Sequence, residues 1–451
     1  MNISLALERA RSFVCRGDEA AAKSVYLEIL NQDVTHFDAL TELGTLAWES
    51  GHRSAALMAY HAAAQHHPNN KIGQVHLANI LMDSGEFALA RNHYDAALQL
   101  DASFAEAHQG MARVLAELGD RDNEHWRSGF IGHAVNKRRY RGVGEGVPLL
   151  LLACARGGNT PVQRWIEERL FAVTVVYAEF FDLADPLPPH QIVMNAIGDC
   201  DSSYDALVRA QQIVQAVTAP VINAPSLVLL TGRDANARRL SQVRGVIAPQ
   251  MIKNNLAALM EDETLSFPLL LRSPGYHGGR NFLRVDERSG LQAAAAELTG
   301  EEFLAIEYLD ARGADGLWRK YRVMIIDGVL YPLHLAISAD WKVHYFSSAM
   351  ADNAEHRAEE RLFLQDMPSV LGPQAMVALN GISTMLGLDY CGVDFALAPD
   401  GRVQVFEANA TMVINPAEPD PIWDYRRPAL DSALSAARTM LARRMEQSST
   451  A

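Results

Sequence analysis

The sequence predicts a multidomain protein in which an all-α helical repeat is followed by an α/β region and then by an α+β region. Three observations predict this fold class: a 34-residue period near the N-terminus, alternating strand and helix patterns after residue 146, and hairpins toward the C-terminus. The length of 451 residues leaves room for several domains. We expect domains at residues 1–136, 146–225 and 226–445.

Composition and charge restrict the classes of partner. Hydrophobic residues make up 49% and charged residues 21% of the chain, an ordinary balance for globular domains. The net charge of −14 argues against bulk nucleic-acid binding, which needs a basic surface. No apolar run approaches the roughly 20 residues of a membrane helix, and the four cysteines form no C-x-x-C pair. We therefore expect a cytoplasmic protein that binds neither nucleic acid nor membrane.

The period of 34 is marked by glycines, small residues and tyrosines, namely Gly17, Gly51, Gly85, Gly119, Ala22, Ala56, Ala90, Tyr26, Tyr60 and Tyr94. Small residues let two helices of a unit approach closely, and the aromatic residue fills the groove to the next unit. This pattern resembles the tetratricopeptide repeat from Ile3 to Gly119, with a fourth unit that degenerates after its first helix. We expect the Leu and Tyr positions to form the core.

A stack of such units presents a concave groove, and such grooves commonly hold a peptide or a partner protein. We expect the repeat to recruit a peptide or protein substrate. A spacer role or assembly into a homodimer is the alternative, because a fold alone does not establish a function.

The middle of the chain predicts a small parallel sheet. Val147–Cys154 is a short unbroken apolar run, typical of a strand buried on both faces. We expect a helix over Pro161–Leu170 and further strands over Phe171–Phe180 and Gln191–Ala196. Gly157-Gly158 lacks the rest of a dinucleotide fingerprint and is interpreted as a tight turn.

Near the C-terminus, Gly392–Ala398 and Val403–Ala408 predict a β-hairpin around the turn residues Pro399–Arg402. If Ala398 pairs with Val403, Asp394 stands opposite Glu407, and two facing carboxylates repel each other unless a cation lies between them. Asn409 projects from the same face. An Asp, a Glu and an Asn form an oxygen set suited to Mg²⁺. An exposed hairpin face with incidental acids is the alternative.

Upstream segments add cationic and glycine-rich elements. A strand ending at Arg272 leads into Gly275, His277, Gly278 and Gly279, whose backbone N–H groups are suited to phosphate oxygens. Arg322 lies inside an apolar strand, and a buried arginine demands an anionic partner. Lys342 lies in a further short strand.

The order of these segments resembles the ATP-grasp superfamily, and is most similar to the ribosomal-protein glutamate ligases and glutathione-synthetase-like enzymes. A glycine loop comes first, followed by Glu307-Tyr308-Leu309, the Arg322 strand, and finally Asp394, Glu407 and Asn409. The likeness spans about Val147 to Arg444. It implies an α/β pre-ATP-grasp domain at 146–225 and an α+β ATP-grasp fold at 226–445.

The resemblance also implies roles for individual residues. The metal ligands would be Asp394, Glu407 and Asn409, holding Mg²⁺ or Mn²⁺ with ATP as co-substrate. The adenine edge would be read by Glu307 and the backbone of Tyr308 and Leu309. The ribose would be bound by Asp315, with Asp310 as second candidate. The phosphates would be bound by Arg272 and the loop of Gly275, His277, Gly278 and Gly279, and the reacting phosphoryl group by Arg322 and Lys342.

Two departures from the family affect the phosphate site. Arg272 stands where the family usually has a lysine, which changes a point charge into a planar fork. After Arg233-Asp234, where the family commonly has another lysine, this chain has Ala235-Asn236. Arg233 or Arg238 is expected to substitute for it.

The function implied is that of an ATP-dependent carboxylate–amine ligase of the acid–amino-acid type, which forms C–N bonds through an acyl-phosphate. Its substrates would be a peptide or protein recruited by the repeat and a small amine or amino acid. Two alternatives remain: an ATP-grasp phosphotransferase (a kinase), and a repeat scaffold that carries a nucleotide-sensing domain.

Overall fold

A computed structural model of the chain describes residues 2–119, 124–276, 279–343, 348, 350–415, 417–418 and 420–449. The chain forms two compact units. Unit 1 comprises Met1–Leu149 and Glu167–Pro189, and unit 2 comprises Leu150–Ile166 and His190–Ala451. The three-domain division of the sequence stays a prediction.

Unit 1 consists mainly of paired antiparallel helices. Its helices are α1 (Ile3–Arg16), α2 (Glu19–Gln32), α3 (Phe37–Glu49), α4 (Arg53–His66), α5 (Lys71–Asp83), α6 (Phe87–Leu100), α7 (Ala105–Glu117) and α8 (Glu124–Phe130). The first helix of each pair is followed by a glycine at positive φ: Gly17 (79°), Gly51 (80°), Gly85 (78°) and Gly119 (83°). Glycine adopts this left-handed conformation without the steric penalty of a Cβ, so it ends each first helix.

Most of the repeated small and aromatic positions form the interior of the repeat, as the sequence predicts, whereas Tyr60 is half-buried against it. Ala22, Ala56 and Ala90 have no exposed surface, and Tyr26 and Tyr94 are buried. Tyr94 packs so closely on α7 that a Cβ added to Gly110 would lie 2.1 Å from its ring. The fourth unit keeps a second helix, the seven-residue α8, where the sequence predicts that the unit degenerates.

Strands follow the repeat, and they correct part of the sequence prediction. The first three are β1 (Val135–Lys137), β2 (Val147–Ala153) and β3 (Phe171–Tyr177), of which β1 and β3 pair antiparallel rather than parallel. The predicted helix Pro161–Leu170 is wrong: only Val162–Arg164 forms a 3₁₀ turn. Trp165 stacks on Tyr390 at 5.1 Å between ring centroids, and this packing within unit 2 overrides the local helical pattern.

Unit 2 contains the remaining elements. Its helices are α9 (Tyr204–Val214), α10 (Pro225–Val228), α11 (Arg233–Leu240), α12 (Leu256–Glu261), α13 (Leu291–Glu297), α14 (Ala354–Gln365), α15 (Met367–Leu386) and α16 (Arg427–Ser449). Its strands are β4 (Ile192–Asn195), β5 (Val221–Ile222), β6 (Val246–Ile247), β7 (Met251–Asn255), β8 (Leu269–Arg272), β9 (Phe282–Val285), β10 (Glu302–Glu307), β11 (Trp318–Ile326), β12 (Val329–Ser338), β13 (Tyr390–Leu397) and β14 (Val403–Asn409).

Two mainly antiparallel sheets dominate unit 2. The first has the strand order β7-β10-β8-β9, and the second has the order β12-β11-β13-β14-β6, with β6 parallel to β14. Strands β4 and β5 pair in parallel, as the sequence predicts for this region. The cores of both sheets are formed by Val, Ile, Leu and Phe side chains.

The hairpin of β13 and β14 places Asp394 opposite Glu407, as predicted, but by a different route. Leu397, not Ala398, pairs with Val403, so the turn is one residue longer than predicted. A β-bulge next to Asp394 shifts the register by one residue and restores the expected pairing.

Candidate functional site

A cavity of about 220 Å³ lies between the two sheets of unit 2. The first sheet contributes an apolar row, because Met251, Ile306 and Leu270 are cross-strand neighbours on β7, β10 and β8. The second sheet contributes polar side chains from β11, β13 and β14. The cavity therefore has an apolar wall at one side and a charged wall at the other.

The charged side chains that line the cavity are mostly cationic. Three are acidic (Glu307, Asp394, Glu407) and six are basic, namely Arg233, Arg272, Arg319, Lys320, Arg322 and Lys342. This excess of positive charge stands against the net charge of −14 of the whole chain. A concave site of this kind attracts anionic ligands.

Asp394 is buried between two cations of β11. Arg322 donates to both of its carboxylate oxygens, at 2.6 and 2.8 Å, and Lys320 Nζ lies 3.2 Å from Oδ2. Burial alone would raise the pKa of Asp394, but the charges of Arg322 and Lys320 outweigh it and hold the pKa well below the usual range. The anionic partner that the sequence requires for Arg322 is therefore Asp394.

Glu407 and Asn409 also have partners. Arg233 Nη2 lies 2.7 Å from Glu407 Oε1, and the backbone N–H of Arg233 donates to Asp201. Asn409 Oδ1 accepts hydrogen bonds from the backbone N–H and the hydroxyl of Thr411, at 3.0 and 2.8 Å. Within the described ranges, no three His, Cys, Asp or Glu side chains form a group suited to a metal ion. The predicted set instead consists of two carboxylates and one amide.

Arg272 ends β8 and lies deep in the cavity with 8% of its surface exposed. Burial and the nearby charge of Arg233 lower its pKa to about 10. Its guanidinium donates to the carbonyl oxygen of Tyr276 in the glycine loop. Of the predicted loop residues, Gly279 lines the cavity, Gly275 does not, and His277 and Gly278 lie outside the described residues.

The predicted adenine-reading segment lines the cavity next to the apolar row. Glu307 ends β10, and its Oε2 accepts a hydrogen bond from the backbone N–H of Gln250 at 3.0 Å. The Tyr308 hydroxyl accepts one from the indole N–H of Trp318. Leu309 contributes a further part of the wall.

The two ribose candidates lie outside the set of cavity-lining residues. Asp315 makes two hydrogen bonds with Arg319, at 3.0 and 2.8 Å, which lower its pKa to about 2. Asp310 is held in the same way by Arg312.

Lys342, in contrast, lines the cavity, and its Nζ donates to the carbonyl oxygen of Phe282 at 3.1 Å. Arg238 points away to an exposed pair with Asp234, so Arg233 is the arginine of α11 that reaches the cavity.

Sequence reasoning missed Lys320 and the aromatic residues Phe282 and Trp341 of the cavity wall. Lys320 lies two residues before Arg322, and both contact Asp394. The period-2 alternation of a strand was the signal that could have found it. No comparable signal marks the aromatic residues.

The fold and the site define a chain with a helical repeat of the tetratricopeptide type and a mixed α/β unit that carries a cationic cavity. No family model matches the chain. A protein of Emericella nidulans named a probable assembly chaperone of rpl4 is 28% identical over an alignment of 162 residues that covers 33% of this chain and 40% of that protein. The chain thus spans less than half the length of this relative.

Similar solved structures are repeat proteins. MamA is 18% identical with a TM-score of 0.26, covering 29% of this chain and 75% of its own. YrrB, described as a tetratricopeptide protein with an unusual peptide-binding site, is 17% identical with a TM-score of 0.26, covering 29% and 68%. A tetratricopeptide protein of Parabacteroides merdae is 23% identical with a TM-score of 0.25, covering 26% and 47%. These TM-scores are too low to support a fold assignment. The assignment of the repeat therefore rests on the 34-residue period of this chain and on the packing of its helices.

None of the helices in the described parts of the chain has the length and apolar character that a membrane crossing requires.

Proposed function

We propose that unit 2 is an ATP-dependent carboxylate–amine ligase and that its cavity binds the nucleotide. The observation that carries the proposal is the arrangement of the two walls. An apolar row suits a flat base, and the cationic groups around Arg272, Lys320 and Arg322 suit a polyphosphate. Arg272 lies two residues beyond Leu270 on β8, so one strand supplies both environments.

The side chains have separate tasks in this proposal. Glu307, Tyr308 and Leu309 border the base, since they follow the apolar row on β10. Arg272 and Lys342 bind the phosphates. When the nucleotide binds, Arg322 gives up part of its contact with Asp394 and binds the reacting phosphoryl group instead. These groups act by positioning and charge neutralisation.

Mg²⁺ or Mn²⁺ belongs to the same proposal. Asp394 and Glu407 have the donor chemistry and the register for a hard cation, because they face each other and line the cavity. To bind it, their oxygens would have to give up part of their contacts with Arg322, Lys320 and Arg233. Asn409 fits less well, since its oxygen is committed to Thr411. The ion, when bound, neutralises polyphosphate charge. Asp394 and Glu407 are the residues that would hold it.

The reaction balances in two steps. A carboxylate oxygen of the donor attacks the γ-phosphorus, and the bond to the bridging oxygen breaks with its electron pair leaving on ADP. The amine nitrogen then attacks the acyl carbon, the carbon–oxygen bond breaks, and phosphate leaves with the proton that nitrogen loses. The products are an amide, ADP and phosphate.

We further propose that unit 1 binds the peptide or protein that carries one of the substrates. Its helical repeat is a scaffold, and the name of the Emericella nidulans relative describes an assembly chaperone, which implies a protein partner for that molecule. A pulldown that compares the full chain with variants at exposed apolar positions of unit 1, such as Met58→Asp and Leu89→Asp, tests this role separately from catalysis.

The test of the enzyme is the full chain incubated with ATP, Mg²⁺, a pooled peptide library and a panel of amines and amino acids. We expect ADP and phosphate in equal amounts and a product whose mass equals donor plus amine minus water. A stable phosphorylated product would support the kinase alternative. Absence of ATP consumption with every pair would overturn the enzymatic proposal in favour of a nucleotide-sensing scaffold.

Helix α11 offers a matched pair of variants for the same assay. Arg233→Ala removes a cavity cation, and we expect kcat/KM for ATP to fall roughly 10–100-fold, as for the loss of a hydrogen bond to a charged group worth about 1.5–3 kcal/mol. Arg238→Ala removes an exposed arginine of the same helix and should change kcat/KM for ATP less than about twofold. Equal effects would contradict the placement of the phosphates.

A further inference from the structure

A smaller cavity of about 30 Å³ adjoins the main one, between α11 and β14. Most of its wall is apolar, with Leu240, Pro249 and Val405 among its residues. The two cavities share five lining residues, two of which are charged: Arg233 and Glu407. A molecule held in the smaller cavity therefore lies next to the carboxylate at the charged end of the larger one.

Asn236 of α11 gives this side cavity an unusual polar group. Only 3% of the residue is exposed, and its Nδ2 donates to the carbonyl oxygen of Ala408 at 2.7 Å. That bond fixes the orientation of the amide, because a carbonyl oxygen accepts only from the amide nitrogen. The Oδ1 atom of Asn236 is buried and has no hydrogen-bond partner among the described residues. A buried acceptor left unpaired costs stability, and a donor from a water or from a bound ligand removes that cost.

The size and the wall restrict what that ligand is. A volume of about 30 Å³ admits little more than one water-sized molecule. Glu407 and Asn409 also line this cavity, but a divalent cation that keeps its shell of waters is too large for the volume. A small amine nitrogen fits the volume and donates to the unpaired oxygen of Asn236, while Arg233 and Glu407 pair with each other and Asn409 accepts from Thr411.

We propose that the side cavity receives the nitrogen of the nucleophile and that Asn236 Oδ1 accepts one of its N–H bonds. This inference rests on the proposed ligase function of the main cavity and names its second substrate class: ammonia or a small unbranched primary amine. The nitrogen lone pair remains free to attack the acyl carbon. The carbon–oxygen bond of the acyl-phosphate breaks, and the released phosphate takes the proton that nitrogen loses.

The first test varies the size of the amine. The full chain is incubated with ATP, Mg²⁺ and a pooled peptide library, and ammonium chloride, methylamine or isopropylamine is added, with ADP release and product mass as readouts. We expect ammonium and methylamine to react and isopropylamine to react at least about tenfold more slowly, because its branch at the carbon next to nitrogen exceeds the cavity.

The second test changes Asn236 itself. Asn236→Leu removes the acceptor, and we expect the KM for ammonium to rise about tenfold, whereas the KM for ATP stays within about twofold. Asn236→Asp keeps the oxygens and loses the donor to Ala408, and we expect its KM for ammonium to stay within about threefold of wild type. A purely structural role through Ala408 would make both variants equally damaging, since both lose that donor.

The control is Asn380→Leu, which alters an exposed asparagine of α15 whose Nδ2 bonds Met376 within its own helix. Its kinetics should match wild type, and thermal melting checks that each variant folds. Equal rates with isopropylamine, or an unchanged ammonium KM in Asn236→Leu, would overturn this inference and leave the ligase standing. Absence of ATP-dependent ADP release from the wild type with every amine would overturn both.

Discussion

The two units bury different kinds of side chain. In unit 1 the buried polar residues among those described are uncharged: Thr41, Gln74 and Thr174. In unit 2 the interior also contains charged residues, namely Asp199, Arg272, Glu360, Asp394 and Arg426. Buried ion pairs contribute little net stability, because desolvation offsets their attraction, whereas small and aromatic residues stabilise by packing alone. The interior of unit 1 is thus stabilised by packing, whereas unit 2 retains costly buried charges, of which Arg272 and Asp394 line the cavity.

We expect the largest loss of stability when the buried ion pair of Glu360 and Arg426 is broken. Arg426 donates to Glu360 Oε2 at 3.0 and 2.7 Å, and both side chains are almost completely buried. Glu360→Gln removes the negative charge that faces the buried guanidinium of Arg426, so we expect the free energy of unfolding to fall by about 3–5 kcal/mol in urea titrations.

The neighbouring residue supplies the control. Glu359 pairs with Arg319 at a partly exposed position, and Glu359→Gln should lower the free energy of unfolding by less than about 1 kcal/mol. If both variants lost the same stability, burial of charge would not distinguish the interior of unit 2.

In unit 1 we expect stability to be lost when volume is added to the tightly packed interior. Gly110→Ala would bring a Cβ to 2.1 Å from the Tyr94 ring. We expect overpacking of about 1–3 kcal/mol to exceed the gain of about 1 kcal/mol that alanine has over glycine inside a helix. Circular dichroism during thermal unfolding measures the loss.

The double variant Gly110→Ala with Tyr94→Leu should lose less stability than the sum of the two single variants, because the smaller side chain makes room for the methyl group. Strict additivity of the two changes would contradict direct contact as the cause.

At Arg272 we expect a substitution to raise the free energy of unfolding, by less than Glu360→Gln lowers it. Its pKa of about 10 shows that the folded unit disfavours the charged form, mainly through burial. Arg272→Met should therefore raise the free energy of unfolding by about 1 kcal/mol while it weakens ATP binding in a fluorescent-nucleotide titration. Stabilisation without any loss of nucleotide affinity would remove Arg272 from the proposed site.

The smallest effect is a pH dependence at Asp315. Its pKa is lowered to about 2 by Arg319, so the pair stabilises the fold above the unfolded pKa of about 3.9 and loses this contribution as pH falls toward 2. Solvent exposure limits the contribution to about 0.5 kcal/mol. The difference in stability between wild type and Asp315→Asn should shrink between pH 4 and pH 2, and should be smaller in high salt.

The repeat was predictable because its determinants are local. Glycines, alanines and tyrosines recur every 34 residues, and each helix pair packs mainly on its sequence neighbours. The helix predicted over Pro161–Leu170 failed for the opposite reason. Trp165 and Arg164 contact Tyr390 and Ile414, more than 200 residues away, and no local pattern encodes those contacts.

The site shows the same limit. Facing carboxylates at Asp394 and Glu407 followed from hairpin pairing, even though two one-residue differences, in the turn and at the bulge, had to cancel. The cations that neutralise them come from β11 and α11. Both elements are far from the hairpin in the sequence, and no sequence pattern predicts that they contact it. The roles predicted for these residues stay predictions.

The four repeat glycines share one backbone conformation, with φ between 78° and 83° at a constant spacing. A gene segment that runs from one of these glycines to the next encodes a piece whose two ends have the same local geometry. Duplication or loss of such a segment by unequal crossing-over preserves this backbone conformation at each glycine. The number of repeats can therefore change in whole units while the backbone geometry at each glycine stays the same, and the side-chain contacts of neighbouring units have to adapt, because the equivalent residues Tyr26, Tyr60 and Tyr94 have different hydrogen-bond partners.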